Sequence, residues 1–118
     1  MAYDNYPTAP DVNIYMLERG LRSISGAAAE YLSVPQGGTL LRVDGMIGDT
    51  IDGDVVISIR IDGEVNPSGT ATIPSGSDEG YSFTIPIGKP VENYIKLTPT
   101  PGTNSVAAKC SLVCSIKR

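Results

Sequence analysis

The sequence contains no histidine and no tryptophan, and each absence excludes a class of chemistry. Without histidine, no Ser–His or Cys–His pair can activate a nucleophile. Without tryptophan, a sugar-binding face would depend on tyrosine as its aromatic platform. Of the six tyrosines, the four that follow the N-terminal segment are scattered singly along the chain: Tyr15, Tyr31, Tyr81 and Tyr94. We expect each ring to lie at the edge of the core with its hydroxyl in water, and we expect no enzymatic activity.

Cysteine occurs only twice, at Cys110 and Cys114. Residues four apart on one strand have Cα atoms about 13 Å apart, whereas a disulfide requires less than about 7 Å. A bridge between the two is therefore excluded while that strand persists. The same distance argues against a shared metal ion, and no histidine is present to complete a site. We expect both thiols to be small apolar core groups, and we expect no cofactor.

Long apolar runs and clusters of basic residues are also missing from the 118 residues. No run approaches the roughly 20 apolar residues that a membrane-spanning helix needs. The formal charge is −4, whereas nucleic acid and anionic membranes are bound by clustered lysine and arginine. We expect neither as a partner. The first residues, 1–7, show neither the basic start nor the apolar stretch of a secretory signal, so we expect synthesis in a cytosol.

The chain is rich in turn formers, with 13 glycines and 9 prolines, and its apolar residues follow a period of two. The C-terminal run 106–116 is the clearest case, because apolar residues there alternate with mostly small or polar ones. The alternating set is Val106, Ala108, Cys110, Leu112, Cys114 and Ile116. Because successive side chains of a strand point to opposite faces, this pattern predicts a strand with one buried face.

Shorter runs repeat the pattern. Val55–Ile61 places four β-branched residues on one face, which predicts a central strand. The pair Asp62-Gly63 predicts a hairpin turn after it. Thr70–Ile73 is short, and we expect it near a sheet edge. Pro86 has no N–H, so its strand should end at an edge or a bulge.

Further strands are expected at 12–17, 21–25, 29–34, 40–47, 81–87 and 91–98. About eight strands spaced about 10–12 residues apart are typical of a sandwich or barrel. We therefore predict an all-β fold: one antiparallel β-sandwich domain over residues 12–118, jelly-roll-like in its topology. Strand number alone does not separate a jelly roll from an immunoglobulin-like sandwich.

Residues 1–11 show no periodicity, and two prolines prevent both a helix and a central strand. We predict an extended N-terminal arm. One interpretation is a frayed terminus. The other is an arm that docks on a neighbouring subunit or shell, where tyrosines would anchor it and prolines would limit the entropy lost. The candidate contact residues are Tyr3, Tyr6, Pro7 and Pro10.

Acidic residues supply the remaining candidates for chemistry. Asp49, Asp52 and Asp54 offer the hard oxygen donors that calcium requires, but the spacing matches no EF-hand loop, since apolar residues follow. Aspartate is also common turn material, because its carboxylate satisfies the local backbone. We expect Asp78-Glu79 to be a solvated loop tip. A glycosidase would need two carboxylates facing each other across a cleft, and no pair stands out.

From Tyr31 onward, the order of strand and turn segments resembles the small decoration, or cement, proteins of tailed bacteriophages. The matching segments are Leu-Ser-Val-Pro at 32–35, Gly-Thr-Leu-Leu-Arg-Val at 38–43, the strand 54–61 with Asp62-Gly63, Gly-Thr-Ala-Thr-Ile at 69–73, the glycine-rich loop that follows, 95–97, and the alternating last strand that ends in Arg118. These are strand and turn patterns rather than catalytic motifs.

The resemblance implies a jelly-roll-like sandwich that binds the outside of an assembled capsid as a homo-oligomer, a dimer or a trimer. Its partner would be the major capsid protein, and it would stabilise contacts between capsomers. The protein would then be part of the virion exterior after synthesis in the host cytoplasm, with no cofactor. The alternative is a carbohydrate- or receptor-binding sandwich module of a phage fibre or surface protein.

Overall fold

In the computed structural model, which describes residues 12–16 and 22–117, every regular element is a β-strand. The strands of the described residues are β1 (Val12–Met16), β2 (Arg22–Ser23), β3 (Glu30–Ser33), β4 (Gly38–Ile47), β5 (Val55–Ile61), β6 (Gly69–Ile73), β7 (Ser82–Val91), β8 (Tyr94–Thr100) and β9 (Lys109–Lys117). Within these described ranges, no helix is long and apolar enough to cross a membrane. The prediction of an all-β fold is confirmed.

The strands form two antiparallel sheets. The first sheet has the order β1-β9-β4-β7, with the short β2 also pairing with β9, and the second has the order β3-β8-β5-β6. From β2 onward, each connection between consecutive strands crosses from one sheet to the other, except that β5 and β6 are joined within the second sheet. This arrangement is the strand order of a jelly roll. The strand order therefore excludes an immunoglobulin-like sandwich, a distinction that the number of strands alone could not provide.

Alternation along the strands places the core between the two sheets. In β5, every second residue from Val55 to Ile61 is buried, and the residues between them are partly exposed. β9 buries Cys110, Leu112, Cys114 and Ile116 in the same way. Both strands lie inside their sheets, β5 between β8 and β6 and β9 between β1 and β4. The predicted central and C-terminal strands are therefore confirmed.

The last strand begins at Lys109 rather than at Val106, so the predicted start is wrong. The cause is Asn104, a buried residue with 5% exposure. Its side-chain NH₂ donates to Val106 O at 3.1 Å, and its Oδ1 accepts the Val106 N–H at 3.4 Å. Because a side chain binds both backbone polar groups of Val106, these groups are not available to a strand ladder.

The proline-containing strand lies where its missing N–H is tolerated. β7 is an edge strand of the first sheet. Its Pro86 pairs with Arg42, beside a bulge between Leu40 and Arg42 in β4, as the sequence predicted. Because an edge strand needs no N–H donor on its open side, β7 continues past Ile87, where the sequence predicted its end. The short β6 lies at the edge of the second sheet, also as predicted.

The Asp62-Gly63 pair forms a turn, but it does not close a two-residue hairpin. Both residues have positive φ, 51° and 79°, the backbone geometry of a type I′ turn. However, β6 begins to pair with β5 only at Gly69. Residues 62–68 therefore form a longer loop, which we call the Val65 loop after the residue at its tip.

Candidate functional site

The arm predicted for residues 1–11 lies outside the residues that the structure describes. This applies to all four of its candidate contact residues: Tyr3, Tyr6, Pro7 and Pro10. The described part of the chain offers two other surfaces for contact. These are the outer face of the second sheet and the Val65 loop.

The aspartates considered as calcium ligands are engaged in holding loops together. The Asp52 carboxylate accepts the hydroxyl of Ser105 at 2.6 Å and its N–H at 2.7 Å, and these hydrogen bonds lower the pKa of Asp52. Asp54 accepts the N–H of Ser75 at 2.7 Å. Within the described ranges, no three acidic or thiol side chains are grouped as metal ligands. Both carboxylates act as caps of exposed turns.

Two further acidic residues are linked through Thr50. The Asp49 carboxylate accepts the Thr50 N–H at 2.8 Å, and the Thr50 hydroxyl donates to Asp78 at 3.0 Å. Asp78 is exposed, as expected for a loop tip. It nevertheless has a structural contact, because this pair of bonds connects the loop after β4 with the loop before β7.

Both thiols lie in the core, as the sequence predicted. Cys110 is 2% exposed and Cys114 is 0% exposed, and both are free cysteines. Burial raises the pKa of Cys110 to about 11. Burial and the charge of Asp44 raise the pKa of Cys114 to about 12. Protonated, buried thiols are neither nucleophiles nor metal ligands at neutral pH, so the two side chains act in packing.

The fold brings Tyr31 and Tyr94 together on the outer face of the second sheet. Tyr31 in β3 is paired with Lys96 in β8, and Lys96 is paired with Arg60 in β5. Because directly paired residues of antiparallel strands share a face, these three side chains form a row across the sheet. Tyr94 precedes Lys96 by two positions and lies on the same face. We call Tyr31, Arg60, Tyr94 and Lys96 the tyrosine face.

Side chains of the tyrosine face contact one another. The rings of Tyr31 and Tyr94 have centroids 5.9 Å apart and planes tilted by 49°, which lies within the range of favourable aromatic pairs. The Lys96 ammonium lies 5.8 Å from the Tyr31 ring centroid, a cation–π distance. Tyr31 is nonetheless 60% exposed. The contacts therefore position this ring while leaving most of it in water.

Hydroxyl side chains surround the tyrosine face. The same-face hydroxyl positions of the second sheet, apart from Thr98, whose Oγ1 is buried, are Ser33, Ser58, Thr70, Thr72 and Thr100. The outer face of this sheet thus combines two aromatic rings, two cations and several hydrogen-bonding groups. Such a surface can stack, bind anions and exchange hydrogen bonds with a ligand.

The second surface is the Val65 loop, whose tip residue Val65 is 86% exposed. The loop is braced from within. The Glu64 carboxylate accepts the Ile61 N–H at 2.8 Å and also the Ser68 hydroxyl. Arg60 Nε donates to the Val65 carbonyl oxygen at 3.2 Å. The loop therefore presents an apolar side chain from a defined position.

The two surfaces adjoin one another. A Cβ placed on Gly63 would lie 3.0 Å from the Tyr94 hydroxyl, so this hydroxyl lies against the backbone of the Val65 loop. Asp62, in the same loop, accepts the Tyr94 N–H at 3.0 Å. The tyrosine face and the Val65 loop together form one continuous side of the sandwich.

The interpretation of the tyrosines as isolated residues is wrong for Tyr31 and Tyr94. Each tyrosine lies in a strand that the sequence predicted. The two rings come close to each other, however, only because β3 pairs with β8. That register joins distant parts of the chain and leaves no local signal. The alternation around Lys96 could have shown only that Tyr94 and Lys96 share a face.

Comparisons with known proteins show similarity at the level of fold. No family model matches the chain, and no curated protein matches it. A glycoside hydrolase family 43 arabinoxylan arabinofuranohydrolase from Bacillus subtilis, solved in complex with cellotetraose, has a TM-score of 0.51 at 11% identity. The similarity covers 81% of this chain and 20% of that enzyme, so the chain spans a minor part of its length.

A second solved structure matches over nearly its full length. The core of Drosophila NLP, described for its pentamer formation and histone binding, has a TM-score of 0.50 at 8% identity. The similarity covers 92% of this chain and 98% of that one. At these identities the comparisons establish a shared sandwich architecture for this chain and nothing about its ligands.

Proposed function

We propose that this chain is a decoration protein that binds the outer surface of a phage capsid and cements contacts between capsomers. It acts by adhesion, without catalysis or a cofactor. The observation that carries the proposal is the Val65 loop, because a braced loop with an apolar tip suits docking on a protein surface. The resemblance of the sequence to phage decoration proteins supplies the partner, the major capsid protein.

The bracing of the loop lowers the cost of docking. Immobilising a flexible side chain at an interface costs about 0.5–1.5 kcal/mol. In the Val65 loop, hydrogen bonds of Glu64 and Arg60 hold the backbone before a partner arrives. Burial of the exposed valine then contributes up to about 2 kcal/mol of hydrophobic free energy. The adjoining Tyr31 and Tyr94 extend this contact area with residues typical of interface hot spots.

A single contact of this size is weak, and a cement protein gains from repetition. A symmetric dimer or trimer would present several Val65 loops to repeated sites on the shell. Linked contacts hold more tightly than any one of them alone. The arm of residues 1–11 would add a second contact through Tyr3, Tyr6, Pro7 and Pro10. The protein would then belong to the virion exterior, after synthesis in the host cytoplasm.

Co-sedimentation with empty capsids of the phage that encodes the chain tests the proposal. The purified chain should pellet with the shells. Val65→Asp should reduce the bound fraction about tenfold, because a carboxylate would be buried without a partner at the contact. Ser82→Asp is the matched control, since Ser82 is exposed on the other sheet and receives the same charge. Deletion of residues 1–11 tests the contribution of the arm.

Both aspartate variants should unfold at the same denaturant concentration as the wild type, because both positions are exposed. If both variants fold like the wild type, a difference in their binding to shells reports on the contact itself and not on unfolding. A wild-type chain that stays in the supernatant, or a Val65→Asp chain that pellets as well as Ser82→Asp, would overturn the proposal.

A carbohydrate-binding role is the second candidate, and the tyrosine face is the observation that favours it. The exposed ring of Tyr31, beside the partly buried Tyr94, supplies the stacking surface that such a role requires. The Bacillus subtilis enzyme that shares the fold was solved with cellotetraose, which is a property of that protein. Sugar-binding and shell-binding assays separate the two roles, because one presents only a glycan to the chain and the other presents a protein shell.

A further inference from the structure

We propose that the tyrosine face is a binding site for polysaccharides that carry carboxylate groups. It is formed by Tyr31, Tyr94, Lys96 and Arg60, which pairing of β3, β8 and β5 places on one face. The site adjoins the capsid contact assigned to the Val65 loop, which Arg60 also braces, but its ligand is a glycan rather than a protein.

Tyr31 supplies the stacking surface of this site. The C–H face of a pyranose ring packs favourably on an exposed aromatic ring. Tyr31 is 60% exposed, and two contacts define its orientation: the tilted ring of Tyr94 at 5.9 Å and the ammonium of Lys96 at 5.8 Å. A ring that is exposed yet positioned loses little conformational entropy when a sugar stacks on it.

The two cations indicate an acidic sugar. Lys96 and Arg60 are directly paired neighbours on the tyrosine face, although the chain as a whole carries a charge of −4. Neither of them forms a salt bridge with a described residue, and the Nε of Arg60 donates to the Val65 carbonyl oxygen at 3.2 Å. The nearby Glu64 carboxylate accepts hydrogen bonds within its own loop, and the positive charges of Lys89 and Arg60 help to lower its pKa. Ammonium and guanidinium groups bind carboxylates through charge-assisted hydrogen bonds, so the sugar ligand should carry carboxylates.

The dimensions of the row suit an oligosaccharide. Neighbouring strands lie about 4.8 Å apart, so Tyr31 in β3 and Arg60 in β5 are about 10 Å apart across the sheet. A polysaccharide that crosses the strands can stack one unit on Tyr31 and place the carboxylate of the next unit between Lys96 and Arg60. The hydroxyls of Ser33 and Ser58, on the same face, are available to the hydroxyls of the sugar.

An acidic polypeptide fits this surface less well. Extended peptides bind sheets by adding a strand to an edge, where the backbone supplies hydrogen bonds. The row from Tyr31 to Arg60 instead runs across three strands on the face of the sheet. Its exposed aromatic ring matches the flat face of a sugar, so the observations favour the glycan.

Calorimetric titration of the isolated chain tests the inference without any capsid present. The probes are polygalacturonate, alginate and hyaluronan, each of which carries uronate carboxylates. We expect binding to at least one of them. Methyl-esterified polygalacturonate, which has the same backbone without the charge, should bind at least about tenfold more weakly.

Variants assign the binding to the site. Tyr31→Ala should weaken the binding about tenfold, whereas Tyr31→Phe, which keeps the ring, should bind like the wild type. Lys96→Gln should also weaken the binding and reduce its dependence on salt. Tyr81→Ala is the matched control, because Tyr81 is 36% exposed and lies beside the end of β4 in the other sheet.

Absence of binding to all three polysaccharides would overturn the inference, and so would binding that Tyr31→Ala leaves unchanged. Binding of poly-L-glutamate that depends on Lys96 but not on Tyr31 would identify a site for acidic polypeptides and would also overturn it. Val65→Ser removes the apolar tip of the loop without placing a carboxylate beside Arg60, so it leaves the tyrosine face unchanged. The shell assay and the sugar assay on that variant therefore distinguish failure of the capsid proposal from failure of this one.

Discussion

The carboxylate of Asp62 accepts the backbone N–H of Tyr94 at 3.0 Å and thereby joins the loop after β5 to the first residue of β8. The same carboxylate accepts the N–H groups of Glu92 at 2.8 Å and Asn93 at 2.7 Å. Partial burial raises the pKa of Asp62, but the three N–H donors outweigh it and hold the pKa below its ordinary value. One side chain thus closes the connection between β7 and β8.

Replacement of Asp62 should destabilise the fold. Asp62→Ala removes three charge-assisted hydrogen bonds and places alanine at a φ of 51°, so we expect a loss of about 2–3 kcal/mol in the free energy of unfolding. Asp62→Asn tolerates the left-handed backbone and keeps one acceptor oxygen, so its loss should be about 1 kcal/mol. Urea denaturation at neutral pH measures both. Equal stability of Asp62→Ala and wild type would contradict the capping role.

The contribution of Asp62 should depend on pH. Because its pKa is lower in the folded state than in the unfolded state, the carboxylate stabilises the fold above the unfolded pKa of about 3.9. That stability is lost as the pH falls through the lower folded value. The stability difference between wild type and Asp62→Asn should therefore shrink on acidification. Denaturation curves between neutral and strongly acidic pH measure it, and a difference that grows in acid would contradict the assignment.

Gly45 and Phe83 form a second coupled pair, on the inner side of the first sheet. They are directly paired between β4 and β7, and a Cβ on Gly45 would lie 2.2 Å from Cζ of Phe83. The ring occupies the space that a side chain would fill. Gly45→Ala should therefore destabilise the protein by about 1–3 kcal/mol through overpacking.

Two further variants make the test of this pair specific. Gly48→Ala is the matched control, because no atom lies nearer than 3.7 Å to its Cβ position, and its effect should stay within about 0.5 kcal/mol. In the background of Phe83→Leu, the cost of Gly45→Ala should fall, since the shorter side chain leaves room. Thermal or urea unfolding of the wild type, Gly45→Ala, Phe83→Leu and the double variant gives the coupling free energy, and additive effects would contradict direct packing.

Local alternation was sufficient to predict β5 and most of β9, because burial on one face repeats every second residue within each strand. It could not predict where β9 begins, since that depends on the Asn104 side chain binding Val106. It also could not predict the tyrosine face, because the approach of Tyr31 to Tyr94 requires the register of β3 on β8. Sheet order depends in the same way on pairing between distant segments.

The buried thiols should be inert in the folded protein. Burial raises the pKa of Cys110 to about 11, and burial together with Asp44 raises that of Cys114 to about 12, so little thiolate exists at pH 8. We expect an aromatic disulfide reagent to modify neither thiol in buffer and both in denaturant. In the native protein, modification should proceed only through opening of the core. Rapid titration of either cysteine under native conditions would contradict this assignment.

Replacement of Thr98 by valine should stabilise the protein. Its Oγ1 is buried and has no hydrogen-bond partner among the described residues, and an unsatisfied hydroxyl costs part of its desolvation free energy. Thr98→Val keeps the β-branched shape, so we expect it to raise the free energy of unfolding by about 1 kcal/mol. Thr84→Val is the matched control, because it removes a hydroxyl that donates to Asp44 at 2.6 Å and should not stabilise. Urea denaturation ranks the three chains, and a Thr98→Val chain less stable than wild type would show that the hydroxyl is satisfied in solution.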